Sequence, residues 1–128
     1  MKIAISIWQD RISPVFDKSQ CLQIFMVNDE KVDSRLENIG ERSALSKVEW
    51  LTELSIDVLI CGAITRSLHF DLLAAEIEVW PFICGPTELI LDDFLTHNKI
   101  DNRFFMPGYG RQNRRRNRRG PSGRGCRV

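Results

Sequence analysis

Residues 57–62 read Asp57-Val58-Leu59-Ile60-Cys61-Gly62, a short apolar run that stops at a glycine. Apolar runs of this length between turn residues are typical of buried strands in the middle of a parallel sheet. Beyond the glycine the period changes, because Leu68, Leu72 and Ala75 recur at helical spacing and predict a helix over 66–76. A buried strand followed so closely by an amphipathic helix predicts an α/β domain.

The same alternation extends on both sides of this run. A strand over 78–84, which Pro81 restricts to the sheet edge, precedes a last helix that starts after Gly85. On the N-terminal side, apolar residues three or four apart predict a helix over 42–54. Before that helix the pattern predicts three strands, of which the second and third form a hairpin: 2–8, 21–28 and 32–39.

Handedness and hairpin geometry arrange these strands into one sheet. Right-handed crossovers make the first, fourth and fifth strands parallel, and the hairpin makes the second antiparallel to the first. The prediction is a mixed five-stranded sheet in spatial order 3-2-1-4-5, with three helices. This order resembles the ribonuclease H-like arrangement. Nuclease chemistry is not expected, because the first strand carries no acid and Asp57 lies at the wrong end of its strand.

Charge divides the chain into two parts. Residues 1–102 hold all 17 acidic residues and nine basic ones, a net charge of −8, and form the predicted α/β domain. Residues 103–128 hold nine arginines and no acid, a net charge of +9, with few apolar residues. A segment of this composition cannot bury enough surface to offset the entropy of ordering, so we expect a disordered tail that the domain attracts.

The carboxyl ends of the parallel strands define the candidate site, because ligands of open α/β sheets bind beyond those ends. Cys61 and Cys84 each end a predicted strand, immediately before a glycine and a helix start. A thiol beside a helix N-terminus tends to have a lowered pKa, and thiolates are ligands for copper, iron and metal–sulfur clusters. The alternative is that both cysteines pack in the core, as strand-end cysteines often do.

Two motifs at this edge carry a family resemblance. Ile12-Ser13-Pro14-Val15-Phe16-Asp17 follows an opening Lys-Ile-Ala-Ile strand, and Asp57 to Ile64 ends in Cys61-Gly62-Ala63-Ile64. In this combination, over residues 1–100, the chain resembles the dinitrogenase iron–molybdenum cofactor biosynthesis family. The resemblance implies a ribonuclease H-like domain that binds metal–sulfur clusters without transforming a substrate. Ala63 departs from the second glycine that is common in the family.

The resemblance also implies which residues would bind a cluster. An anionic iron–sulfur or molybdenum-containing cluster would lie between the two motif loops, with Cys61 as a metal ligand. The strand-end position alone makes Cys84 a second candidate metal ligand. The predicted cluster-binding residues are Ser13, Pro14, Val15, Phe16, Cys61, Gly62, Ala63 and Ile64.

We therefore expect a non-enzymatic carrier protein that exchanges a cluster with a donor or acceptor protein. Two alternatives stay open: nucleic-acid binding through the arginines of the tail, and a protein–protein adaptor whose tail docks on an acidic partner. The N-terminus does not resemble a signal peptide, and no apolar stretch approaches the roughly 20 residues of a membrane span. A cytoplasmic location without membrane attachment is expected.

Overall fold

The computed structural model describes residues 1–29, 31–40 and 43–108 of the chain. The predicted tail from residue 109 onward lies outside them. Six strands and three helices alternate along the described residues, with short 3-10 turns at Phe16–Lys18 and Asn102–Phe104. In chain order the elements are β1 (Lys2–Trp8), β2 (Arg11–Ile12), β3 (Cys21–Asn28), β4 (Lys31–Asn38), α1 (Ala44–Glu53), β5 (Val58–Ile60), α2 (Arg66–Ala74), β6 (Glu78–Trp80) and α3 (Thr87–His97).

The sheet is mixed and has the order β4-β3-β1-β5-β6. β1 lies in its centre, antiparallel to β3 and parallel to β5, which is in turn parallel to β6. The predicted neighbours are thus confirmed, but the predicted number of strands is wrong. The sixth strand is β2, which folds back on the end of β1 through the pairs Ile7–Ile12 and Trp8–Arg11. A strand of two residues is too short to show the alternating pattern from which strands are predicted.

Single residues explain where β6 ends and where α1 begins. β6 ends at Trp80, four residues earlier than predicted, because Pro81 has no N–H to donate to a neighbouring strand. β6 is also an edge strand, as Pro81 predicted. α1 begins two residues later than predicted, after Ser43, whose hydroxyl caps the helix by accepting a hydrogen bond of 3.2 Å from the Ser46 N–H.

Side chains alternate between the two faces of the sheet and form a separate core on each. The first core lies under α1 and α2, and the second lies under α3. The first includes Ala4, Leu22, Ile24, Leu51, Leu59, Cys61, Leu68, Leu72 and Val79. The second includes Ile3, Ile5, Phe25, Val58, Ile60, Trp80, Ile90, Phe94, Phe104 and Phe105.

The second core extends beyond residue 102, where the predicted domain ends. Phe104 and Phe105 are buried. The Phe104 carbonyl accepts a hydrogen bond of 2.7 Å from the Cys84 N–H, and the Met106 N–H donates one of 2.7 Å to the Phe82 carbonyl. The first residues of the predicted tail are therefore part of the folded domain.

β4 forms the other edge of the sheet and is exposed along almost all of its length. Charged residues are spaced along it, and Arg35 pairs with Glu37 at 3.0 Å. No helix among the described residues has the length and apolar character needed to cross a membrane.

Candidate cluster-binding site at the carboxyl edge

The first motif loop is tied to the end of β1. Gln9 and Asp10 turn the chain with positive φ angles of 54° and 62°, after which β2 returns along β1. The Ser13 N–H then donates a hydrogen bond of 2.9 Å to the Ser6 carbonyl. This return fixes the path of the loop and leaves Pro14 exposed to solvent.

The two motif loops meet directly. Val15 and Ala63 form a parallel bridge, in which the Phe16 N–H donates to the Ala63 carbonyl and the Ala63 N–H donates to the Pro14 carbonyl, both at 2.8 Å. The structure thus brings the predicted residues Ser13 to Phe16 next to the predicted residues Cys61 to Ile64. The motifs that carry the family resemblance form a single unit.

Gly62 permits this close approach. A Cβ atom at this position would lie 2.3 Å from the Ser13 carbonyl oxygen and 2.5 Å from the Pro14 carbonyl oxygen. Both neighbours are backbone atoms, so no side-chain rotation could relieve the clash. The glycine of the Cys-Gly motif is therefore needed for packing between the loops, and its space is already filled by protein.

Asp17 connects the first loop to α2. Its carboxylate accepts hydrogen bonds from the Thr65 N–H at 3.1 Å and from the Thr65 hydroxyl at 2.9 Å. Thr65 is the residue just before α2, so Asp17 places a negative charge at the N-terminus of that helix. The helix N-terminus is accordingly occupied by the protein itself.

Lys47 holds the same loop from the other side. Its ammonium group, buried beneath α1, donates hydrogen bonds to the carbonyls of Phe16 at 2.9 Å and Asp17 at 2.6 Å. It also lies 5.2 Å from the centre of the Phe16 ring. Desolvation by burial lowers the pKa of Lys47, and the nearby negative charge of Asp17 partly opposes this shift.

Cys61 lies in the first core and is completely buried. Burial raises the pKa of its thiol far above the ordinary value, and the charge of Asp17 shifts it in the same direction. Its N–H donates to the Trp80 carbonyl at 3.1 Å, so this amide has a partner as well. Cys61 could act as a thiolate ligand only after the surrounding packing had opened.

Cys84 is placed differently from the motif residues. It is half-buried, and its N–H bonds the Phe104 carbonyl in the segment that follows α3. Its sulfur is disulfide-bonded, so it would need to be reduced before it could bind a metal. Among the described residues, no group of three or more His, Cys, Asp or Glu side chains could hold a metal ion.

Sequence reasoning missed Lys47 and the contact between Asp17 and Thr65. Helical spacing contained a signal for Lys47, because it falls on the same face of α1 as Val48 and Leu51. A lysine within an apolar stripe indicates a buried partner. Nothing in the sequence indicated that Asp17 bonds Thr65, because 48 residues separate the two.

Comparison with known proteins places both motif loops within one family. The family described as "Dinitrogenase iron-molybdenum cofactor" matches residues 1–96, which include both motif loops. The chain belongs to this family. Membership of the dinitrogenase iron–molybdenum cofactor family confirms the resemblance and associates the chain with a metal cluster. Among curated proteins, none matches the chain significantly.

Solved structures share the fold. The crystal structure of PH0822 superimposes with a TM-score of 0.72 at 15% identity, covering 79% of this chain and 93% of the other. A proposed dinitrogenase of Methanocaldococcus jannaschii gives 0.61 at 20% identity, with coverage of 79% and 92%. A proposed NifB protein of Thermotoga gives 0.59 at 21% identity, with coverage of 78% and 91%. At these identities the likeness concerns the fold.

Proposed function

We propose that the protein is a non-enzymatic carrier of an anionic metal–sulfur cluster, of the iron–sulfur or iron–molybdenum type, in the assembly of the iron–molybdenum cofactor. Family membership supports the association with this cofactor. The observation that carries the proposal is the junction of Val15 with Ala63, which joins both family motifs at the carboxyl edge of β1 and β5. We also propose that the fold is ribonuclease H-like, on the basis of the sheet order β4-β3-β1-β5-β6.

The cluster is the cargo of this carrier, and the exposed side of the junction is the surface that would contact it. Trp8 and Val15 are 57% and 39% exposed and offer an apolar contact. Arg11, beside Trp8 in the β1–β2 hairpin, and Arg66, at the start of α2, supply positive charge at the same edge of the sheet. An anionic cargo is attracted to such cations without a covalent bond to the protein.

Cys61 has a packing role in this proposal. A buried thiol with a raised pKa resists the deprotonation that metal binding requires. The amides of Ala63 and Thr65, which an anion could otherwise use, already bond Pro14 and Asp17. The proposed carrier therefore holds its cargo on the outside of the junction, where a donor or acceptor protein in the cytoplasm could reach it.

Anaerobic loading tests the proposal. The full chain is incubated with iron and sulfide, with and without molybdate, and bound metal and visible absorption are measured after desalting. We expect the R11Q/R66Q variant to retain at least about threefold less metal than the wild type, because the cargo loses its cationic partners. The matched control, K31Q/K99Q, removes the same charge from exposed sites away from the junction and should load normally.

Two outcomes would contradict the proposal. Wild-type protein that gains neither metal nor absorption would exclude a cluster carrier. A Cys61→Ala variant that folds, as judged by circular dichroism, and yet loses all loading would show that the thiol is a ligand and that the exposed surface is not sufficient.

A further inference from the structure

A groove lies on the face of the sheet that α3 covers. Its volume is about 710 Å³. β3 and β4 form its floor, α3 forms one wall, and the turn that follows β1 closes one end. The residues that line it are Asp10, Gln23, Phe25, Val32, Ser34, Pro86, Thr87, Glu88, Leu91, Asp92 and Leu95.

The lining of the groove is apolar with an acidic rim. Asp10, Glu88 and Asp92 contribute three carboxylates, and no lysine or arginine lies among the lining residues. None of the three carboxylates forms an ion pair within residues 1–29, 31–40 and 43–108. Such a surface favours a ligand that combines positive charge with apolar contact.

Thr87 provides an independent sign of a missing partner. It is only 5% exposed, and it lines the groove at the first residue of α3. Its N–H bonds the Asp10 carbonyl at 3.2 Å, but its hydroxyl oxygen is buried without a hydrogen-bond partner in the part of the chain that the structure describes. Buried hydroxyls rarely stay unpaired, so a donor is expected at this point.

We propose that residues 111–119 of the same molecule occupy this groove. The sequence there is Arg-Gln-Asn-Arg-Arg-Arg-Asn-Arg-Arg, and no acidic residue follows it. Guanidinium groups offer several N–H donors each, which suits both the carboxylates of the rim and the hydroxyl of Thr87.

The length of the chain permits this contact. The segment begins three residues after Gly108, the last residue that the structure describes. An extended chain covers about 3.3 Å per residue, so twenty residues reach about 65 Å. A domain of 100 residues has a radius of gyration of only about 13 Å, so the tether can reach any point on its surface. Because the tether keeps the arginines at high effective concentration, individually weak ion pairs suffice.

Limited trypsin digestion of the full chain, freed of nucleic acid by nuclease treatment and a high-salt wash, tests the proposal. Mass spectrometry follows loss of the intact C-terminus at low salt. We expect the D10N/E88Q/D92N variant to be cleaved within residues 111–119 about fivefold faster than the wild type, because the arginines lose their docking site. At 0.5 M salt the two proteins should be cleaved at the same rate.

The matched control replaces three exposed acids of α1 and α2, in the variant E49Q/E53Q/D71N. It makes the same change in net charge on the other face of the sheet, so its cleavage rate should stay within about twofold of the wild type. A second variant, Thr87→Val, keeps the charge and removes the unpaired hydroxyl. It should accelerate cleavage by about twofold at low salt.

Equal cleavage rates in the wild type and the D10N/E88Q/D92N variant would overturn the proposal. So would protection that increases with protein concentration, since the arginines would then occupy the groove of a second copy. Equal acceleration in the E49Q/E53Q/D71N control would also overturn it, because the effect would then be one of net charge alone.

Discussion

The two faces of the sheet differ in how completely they are covered. α1 and α2 contact each other over the first core and seal Cys61, whereas α3 lies over the second core and leaves a groove above β3 and β4. Five strands spaced about 4.8 Å apart span about 20 Å, and one helix with its side chains is only about 10–12 Å wide. A single helix therefore cannot cover a whole face. The face under α1 and α2 holds the family motifs, and the face under α3 has an open groove.

The strongest test of this difference is Gly62→Ala on the covered face. The added methyl group would overlap the carbonyls of Ser13 and Pro14, so the two motif loops must separate. We expect a loss of about 3 kcal/mol or more in the free energy of unfolding, measured with urea. The comparison is Gly40→Ala, where no atom lies within 4 Å and only the positive φ of 70° opposes the substitution. Its cost should be about 1–2 kcal/mol.

Lys47→Met tests the support of the first loop. The Asp17 carbonyl would lose its donor and the Phe16 carbonyl one of its two donors. The free energy of unfolding should fall by about 2 kcal/mol. Lys18→Met, an exposed lysine close by in sequence, should change it by less than about 0.5 kcal/mol. Equal effects of the two substitutions would show that the buried ammonium group does not hold the loop.

The pH dependence of stability tests the sealing of Cys61. Its pKa is raised in the folded protein above the ordinary value of 9.0. The folded state therefore keeps a proton that the unfolded state releases, so its stability contribution is complete below pH 9 and is lost as the pH rises. At pH 10 the wild type should have lost about 1.4 kcal/mol more than Cys61→Ala, relative to each protein at pH 8.

The lowered pKa of Lys47 acts in the opposite direction, since its contribution grows as the pH rises toward the ordinary value of 10.5. This effect is common to the wild type and Cys61→Ala and cancels in the comparison. Parallel pH curves for the two proteins would mean that the thiol is accessible and that the covered face is open.

The smallest effect is expected in the groove. Val32→Thr places a hydroxyl where the side chain is 47% exposed, so the free energy of unfolding should change by less than about 0.5 kcal/mol. Val79→Thr makes the same substitution in the first core at 1% exposure and should cost about 1–3 kcal/mol. Similar costs at both positions would remove the distinction between the two faces.

Sequence patterns located the main strands because each one is a local run with a clear period, and crossover handedness with hairpin geometry then predicted their order. They missed β2, which pairs over two residues, and the burial of Phe104 and Phe105, whose apolar side chains stood next to an arginine-rich segment. Here a local rule about composition failed because tertiary packing extends past residue 102.

The position of the candidate site in the fold was predictable from the sequence, but the burial of its residues was not. The sequence predicted that the two motif loops lie at the same edge of the sheet, and the bridge between Val15 and Ala63 agrees with that expectation. Whether Cys61 faces solvent depends on strand parity. Leu59 and Cys61 share a face, opposite to Val58 and Ile60, and that face is the one on which both α1 and α2 lie. Local spacing does not reveal how many helices cover each face, so neither the sealed thiol nor the groove could be predicted.

The exposed edge strand β4 has a consequence for solubility. Its outer backbone groups could pair with a strand of another molecule, which is a common route to aggregation. The charged side chains Lys31, Asp33, Arg35 and Glu37 recur at every second position along this strand. In a parallel, in-register pair with a second copy, each of these charges would face its own like, which disfavours that mode of stacking.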